Sequence, residues 1–232
     1  MQSITQPLKD LLSLIFPETC AICGEGLHKN EANICTICLF KLPKTNFHQQ
    51  SDNIVSKLFW GRVEIHSAAS FLHFQKGGGV QKLVHSLKYK GQKEVGITIG
   101  KQYGYDLKKS TLFTGIDLIV SIPLHKTRLR SRGYNQSEYF AKGLSEVLQV
   151  PENSTALKRN ISAETQTRKS RFNRWKNVAT AFEVGETAII NGKHILVVDD
   201  VVTTGATLEA ATIALLKAGA AKVSIATIAY TM

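Results

Sequence analysis

His194-Ile-Leu-Val-Val-Asp-Asp-Val-Val-Thr-Thr-Gly-Ala-Thr207 decides the fold. Ile195 to Val198 is a short apolar run rich in β-branched residues, the pattern of a strand covered on both faces. Asp199 and Asp200 stand where that strand is expected to end. Thr203-Thr204-Gly205-Ala206-Thr207 then turns the chain into a helical segment, Leu208 to Ala218, which Gly219 stops. Lys222 to Tyr230 reads as the next strand. A strand–helix–strand unit places the turn at the carboxyl end of a parallel sheet, where open α/β folds bind ligands.

The residue types in the turn specify what it can bind. A helix N-terminus offers unpaired backbone N–H groups and the positive end of a dipole, so it attracts phosphate. Threonine hydroxyls can donate to the same oxygens, and a glycine lets the backbone approach closely. The two carboxylates would repel phosphate, so they suit a ribose diol, whose hydroxyls donate to them. The combination is a sugar-phosphate site. It is neither a Walker A loop nor a GxGxxG turn.

The 232-residue chain is long enough for one core plus a small appendage, and 43% hydrophobic residues fit a soluble globular protein. No apolar run reaches the roughly 18 residues of a membrane span. Gln2 to Phe16 lacks the features of a secretory signal, and Leu8, Leu11, Leu12 and Ile15 fall at helical spacing. A cytoplasmic location is expected. The net charge of +11 is concentrated. Residues 120–136 carry Lys126, Arg128, Arg130 and Arg132 with no acid, and residues 157–178 carry seven cations against Glu164 alone. Two focused clusters imply a polyanion held at a defined place, with pyrophosphate and single-stranded DNA both open.

All four cysteines lie within nineteen residues, as Cys20-Ala-Ile-Cys23 and Cys35-Thr-Ile-Cys38. Each CxxC turn can aim two thiolates at one ion, and two turns complete a tetrahedron, so structural zinc is the expected ligand. A disulfide pairing would need an oxidising compartment, which nothing else in the chain supports. An iron–sulfur cluster is open, but without its usual spacing. His28 and His48, near the cysteines, read as ordinary loop histidines.

Asp117 to Pro123 reads as a second buried strand, followed by a basic loop and a helix from about Ser137 to Leu148. Arginine forks and lysine point charges both suit phosphate oxygens. Beside the Asp-Asp-Thr-Thr-Gly turn, this loop could hold pyrophosphate. Gln75-Lys-Gly-Gly-Gly-Val80 lacks the Lys-Ser/Thr ending of a phosphate loop and a convincing strand before it. It reads as a turn into a helix, Val80 to Lys88.

Val197-Val-Asp-Asp-Val-Val-Thr-Thr-Gly-Ala-Thr207 resembles the phosphoribosyl pyrophosphate (PRPP) loop of type I phosphoribosyltransferases. Ser121-Ile-Pro-Leu-His-Lys-Thr-Arg-Leu-Arg-Ser-Arg-Gly-Tyr-Asn-Gln-Ser137 narrows the likeness to the ComF/GntX family. Gln166, Thr167, Arg171, Asn177, Val178 and Phe182 fit it too, as does the cysteine module in front. The resemblance implies an α/β type I phosphoribosyltransferase fold, a parallel sheet flanked by helices. A four-cysteine zinc-ribbon module with a leading helix would occupy residues 1–55, and the phosphoribosyltransferase-like domain residues 56–232.

It further implies that Asp199 and Asp200 hold the ribose hydroxyls, and that Thr203, Thr204, Gly205, Ala206 and Thr207 hold the 5′-phosphate. Lys126, Arg128, Arg130 and Arg132 would face pyrophosphate. Arg168, Lys169 and Arg171 would sit on a loop that closes over the ligand, though Lys169-Ser-Arg-Phe-Asn-Arg departs from the family's usual run there. Mg²⁺ would accompany PRPP, and transfer of the phosphoribosyl group would release pyrophosphate. The family's association with natural competence brings in single-stranded DNA and a competence helicase or recombination protein as partners. Tyr134, Phe172 and Trp175 within the basic segments could then stack on bases, although anchoring of the loops to the body is the preferred reading of these rings. A non-enzymatic accessory of DNA uptake is the alternative, and homodimers are common in the fold. Residues 40–75 name no acceptor. Leu87-Lys88-Tyr89 also matches the family, with no role evident from the residues alone.

Overall fold

The computed structural model describes residues 18–159 and 181–231. The leading helix and the loop residues Arg168, Lys169, Arg171, Phe172 and Trp175 lie outside the described residues.

In chain order the helices and strands are α1 (Thr36–Phe40), α2 (Ile54–Lys57), β1 (Ser67–His73), α3 (Gly79–Tyr89), α4 (Glu94–Leu107), β2 (Leu118–Ser121), α5 (Lys126–Arg132), α6 (Gln136–Leu148), β3 (Leu157–Arg159), β4 (Phe182–Val184), β5 (His194–Val202), α7 (Ala206–Lys217) and β6 (Lys222–Tyr230). Four strands form an all-parallel sheet in the order β1-β6-β5-β2, and β3 and β4 make a separate antiparallel pair.

Side chains on successive strand residues point to opposite faces, and the core divides accordingly. Ile195 and Val197 on β5 and Val223 and Ile225 on β6 enter one apolar cluster together with Leu208, Ala211 and Leu215 of α7. Leu196, Val198, Ala226 and Ile228 enter the other, with α3, α4 and α6. Cys20, Ile34, Cys35 and Leu42 belong to that second cluster, so the cysteine module packs directly on the body. Among the described residues no helix is long and apolar enough to cross a membrane.

Three sequence expectations change. β5 does not stop before the acids: Asp199 pairs with Thr227 and Val202 with Tyr230, so both carboxylates stand on an extended, hydrogen-bonded strand. The basic loop after β2 is the short helix α5, N-capped by His125, whose ring nitrogen accepts from the Thr127 N–H. A strand, β1, precedes the Gly77–Gly79 turn, where none was convincing. Its two buried faces carry Ser67 and Ser70, which pair with Ser224 and Thr227 of β6. Those hydroxyls dilute the apolar signal without leaving buried polar groups unpaired.

The pairing of α4 with α6 rests on glycines. A Cβ at Gly143 would lie 2.2 Å from the carbonyl oxygen of Ile97, and one at Gly100 would lie 2.4 Å from that of Phe140. Alanine favours an isolated helix by about 1 kcal/mol over glycine. Here the contact is with backbone, which cannot rotate away, so packing decides the sign. Gly143→Ala is expected to destabilise the protein by roughly 2–4 kcal/mol in a denaturant titration. An unchanged or raised midpoint would show that the helices separate without cost.

Candidate functional site

The end of β5 and the start of α7 build the centre of the site. Gly205 caps α7 with φ +75°, a left-handed conformation that any side chain would strain. A Cβ there would also meet the Phe59 ring at 3.2 Å. Asp199, Val201, Val202 and residues 203–208 line one small cleft. Thr203, Thr204, Ala206 and Thr207 are exposed around it, at the N-terminal end of a 12-residue helix. Exposed hydroxyls and the N–H groups of the first turn thus share one opening, the arrangement that receives a phosphate.

The turn is held from behind by a residue that sequence reasoning missed. Arg62 donates to the carbonyls of Leu58 and Thr204, each at 2.9 Å, and forms an ion pair with Glu209 in the first turn of α7. Arg62 thereby fixes the Thr204 carbonyl of the turn from the side away from its exposed hydroxyls.

The two acids have different surroundings. Ser137, at the start of α6, donates to Asp199 Oδ1 at 2.8 Å, and the backbone N–H of Asp200 donates to the same atom at 2.8 Å. Burial and the adjacent Asp200 charge nevertheless push the Asp199 carboxyl up to about 7, against those donors and Lys88. Asp200 is only 9% exposed and pairs with Lys88 Nζ at 2.7 Å. Lys88 comes from the last turn of α3, 112 positions away in sequence.

The motif after β2 is tied to the same place. Asn135 caps α6 by accepting from the Ser137 N–H, while its amide donates to the Ile122 carbonyl at 3.0 Å. Ser137 is thereby positioned against Asp199. β2 pairs directly with β5, Ser121 opposite Val198, so α5 rises from the strand beside the acid pair. Lys126, Arg128 and Arg130 are exposed on α5, whereas Arg132 donates to Gln136 Oε1 and covers the Tyr89 ring at 5.2 Å. At 3.6 residues per turn, Lys126 and Arg130 share one side of α5, and Arg128 and Arg132 the opposite side. The helix as it stands does not bring all four cations to one point.

Tyr134 is not laid out as a stacking platform. Its hydroxyl donates to the Leu87 carbonyl, and its ring meets Tyr139 edge-on at 5.4 Å.

At the cysteine module, the Sγ atoms of Cys20, Cys23, Cys35 and Cys38 all lie within 4.8 Å of one another. Cys23 and Cys35 Sγ are 3.8 Å apart. Four thiolates at about 2.3 Å from a tetrahedral ion would be separated by nearly that distance. Burial pushes the Cys20 thiol up, but backbone N–H groups of Cys23, Cys35 and Ile22 point at its sulfur and bring it down to about 6. Such a sulfur is suited to carry negative charge toward a cation. The cluster can therefore hold one metal ion with four protein ligands, a closed site. His28 is not part of it, and His48 is buried beside Tyr103.

The phosphoribosyl transferase domain family matches residues 135–232. The DNA utilization protein YhgH of Escherichia coli K12 is 29% identical over 210 residues, 89% of this chain and 87% of its own length. Competence protein F of Haemophilus influenzae is 30% identical over 121 residues, 52% of this chain and 53% of its own. Among solved structures, the glutamine PRPP amidotransferase of B. subtilis superposes with a TM-score of 0.41 at 21% identity. That likeness covers 62% of this chain, which spans only 26% of the amidotransferase.

Proposed function

We propose, for a chain similar to competence protein F and YhgH and matched by the phosphoribosyl transferase domain family over residues 135–232, that the β5–α7 turn binds PRPP with Mg²⁺ and supports phosphoribosyl transfer. The observation that carries this reading is the single cleft in which Asp199 meets the threonine turn. The 5′-phosphate would take the Thr203–Thr207 hydroxyls and N–H groups, and the ribose diol would donate to Asp199 and Asp200. In the transfer, the bond from ribose C1 to the pyrophosphate oxygen breaks, and the electron pair leaves with pyrophosphate. A bond from C1 to the acceptor's nucleophilic atom forms, and the acceptor's proton is released.

Positive charge gathers on the ribose as the leaving group departs. The acid pair below the ring favours that charge, and cations of α5 favour the pyrophosphate. The hard carboxylate oxygens fit Mg²⁺, which would supply charge neutralisation of the pyrophosphate. Zinc is the ion proposed for the four sulfurs, as a structural element only.

Ligand binding raises thermal stability. At 100 times the Kd the gain is about 2.7 kcal/mol, or roughly 5–11 °C in Tm for a chain of this size. Mg-PRPP is expected to give a shift of that order. No shift at millimolar ligand in the folded, metal-loaded protein would overturn the reading.

A second reading, single-stranded DNA binding, is favoured by one observation: Lys126, Arg128 and Arg130 project into solvent from α5. Salt-sensitive oligonucleotide binding that weakens on Arg128→Ala/Arg130→Ala substitution would support it. The DNA-related names of the relatives agree with either reading.

A further inference from the structure

Among the described residues Lys88 is the cation paired with the acids, yet it belongs to neither basic cluster. It sits on the last turn of α3, between the two halves of the proposed site. On one side its ammonium meets Asp200 Oδ2 at 2.7 Å. On the other, its neighbours hold the segment that follows β2. The Tyr134 hydroxyl donates to the Leu87 carbonyl at 2.5 Å, and the Arg132 guanidinium lies 5.2 Å over the Tyr89 ring. The Leu87-Lys88-Tyr89 turn therefore fixes the spacing between the acids and the basic helix. The Lys88 side chain is 20% exposed, so it is neither a free surface group nor sealed in the core. In the phosphoribosyl reading, the diol lies against the acids and pyrophosphate lies toward α5, with C1 between them.

We propose that Lys88 is a pyrophosphate-contacting residue, held in place and aimed by Asp200 until the ligand arrives. The ribose hydroxyls donate to Asp200 in place of the ammonium, and the ammonium turns to the pyrophosphate oxygens on C1. A compact ammonium on a flexible stem suits such an exchange better than a planar guanidinium fixed by two bonds. The swap keeps Asp200 partnered in both states, which a carboxylate so little exposed requires.

This inference rests on the phosphoribosyl reading, and its test separates the two. Binding of Mg-PRPP and of ribose 5-phosphate is measured by calorimetry for the full chain and for Lys88→Met and Lys88→Arg. Leaving Asp200 without a partner disturbs both ligands alike, whereas losing a pyrophosphate contact disturbs PRPP alone. The ratio of the two affinities is therefore the readout. Lys88→Met is expected to lower the preference for Mg-PRPP over ribose 5-phosphate at least tenfold, and Lys88→Arg to restore only part of it.

An unchanged ratio, with both ligands still bound by the unsubstituted protein, overturns the role of Lys88 and leaves the site standing. Failure of the unsubstituted protein to bind either ligand overturns both. Should Lys88→Met not fold, Lys88→Gln supplies the same comparison.

Discussion

Removing the ion proposed for the four-cysteine site is expected to unfold the module and weaken the whole protein. The reason is where the sulfurs sit. Cys20 and Cys35 are 2% and 8% exposed and share an apolar cluster with Ile34, Leu83 and Phe71. Without a central cation, four sulfurs within 4.8 Å of each other must take protons back, and each thiol is a poor partner for the next. The local scaffolding is slight: α1 is five residues long, capped by Cys35 itself. Zinc binding to such modules contributes on the order of 10 kcal/mol of apparent folding energy. A strong chelator is expected to lower Tm by well over 10 °C and expose both knuckles to protease, and elemental analysis should find one zinc per chain. Iron in place of zinc would correct the identity of the ion. A metal-free protein with unchanged Tm would show that the sulfurs are merely clustered.

The second large effect concerns pH. Burial and the Asp200 charge hold Asp199 up near 7, well above its ordinary 3.8. Its folded value is raised, so protonated Asp199 contributes stability that is fully present below the ordinary carboxylate range. That contribution is lost as pH rises through about 7. The ligand-free protein should thus lose stability between pH 5 and 8 at this site, and Asp199→Asn should recover about 1–2 kcal/mol at pH 8.

Binding runs the other way. A ribose diol donates to the ionised carboxylate, so affinity scales with the ionised fraction and rises with pH. Between pH 6.5 and 8 the Kd for Mg-PRPP is expected to fall about fourfold, and the residual affinity of Asp199→Asn to be flat. The window stays above the second ionisation of a phosphate monoester, near 6. Affinity that declines over this range would mean that Asp199 acts as a donor, with its proton on. The opposed trends illustrate a common trade: an acid pair crowded onto one strand costs the empty protein stability that the occupied site recovers.

Local chemistry accounts for what the sequence made legible. Lys222 to Tyr230 is a strand to the residue, because a long apolar run bounded by Gly219 has few alternatives. The turn into α7 and the helix after the Arg-Gly-Tyr-Asn-Gln-Ser motif are fixed by Gly205 and by the Asn135 cap, both readable within five positions.

What stayed hidden is long-range or disguised. α4 carries Gly96, Gly100 and Gly104, which open the groove that α6 fills, a pairing that nothing in the local sequence announces. Extension of β5 through the acids is set by β6, which supplies partners for Asp199, Val201 and Val202. Arg62 and Lys88 reach the site from elements whose local sequence names no ligand. Their roles arise from contacts to Thr204 and Asp200, and only the folded sheet brings those together.

The measurement that bears most directly on a working phosphoribosyl site is calorimetric titration of Mg-PRPP into the zinc-loaded protein, beside Asp199→Asn/Asp200→Asn. The cleft of Asp199 and the threonine turn predicts saturable one-to-one binding, weakened at least a hundredfold in the double variant, which remains folded. Absence of binding to the unsubstituted protein, or equal affinity in the double variant, would contradict it.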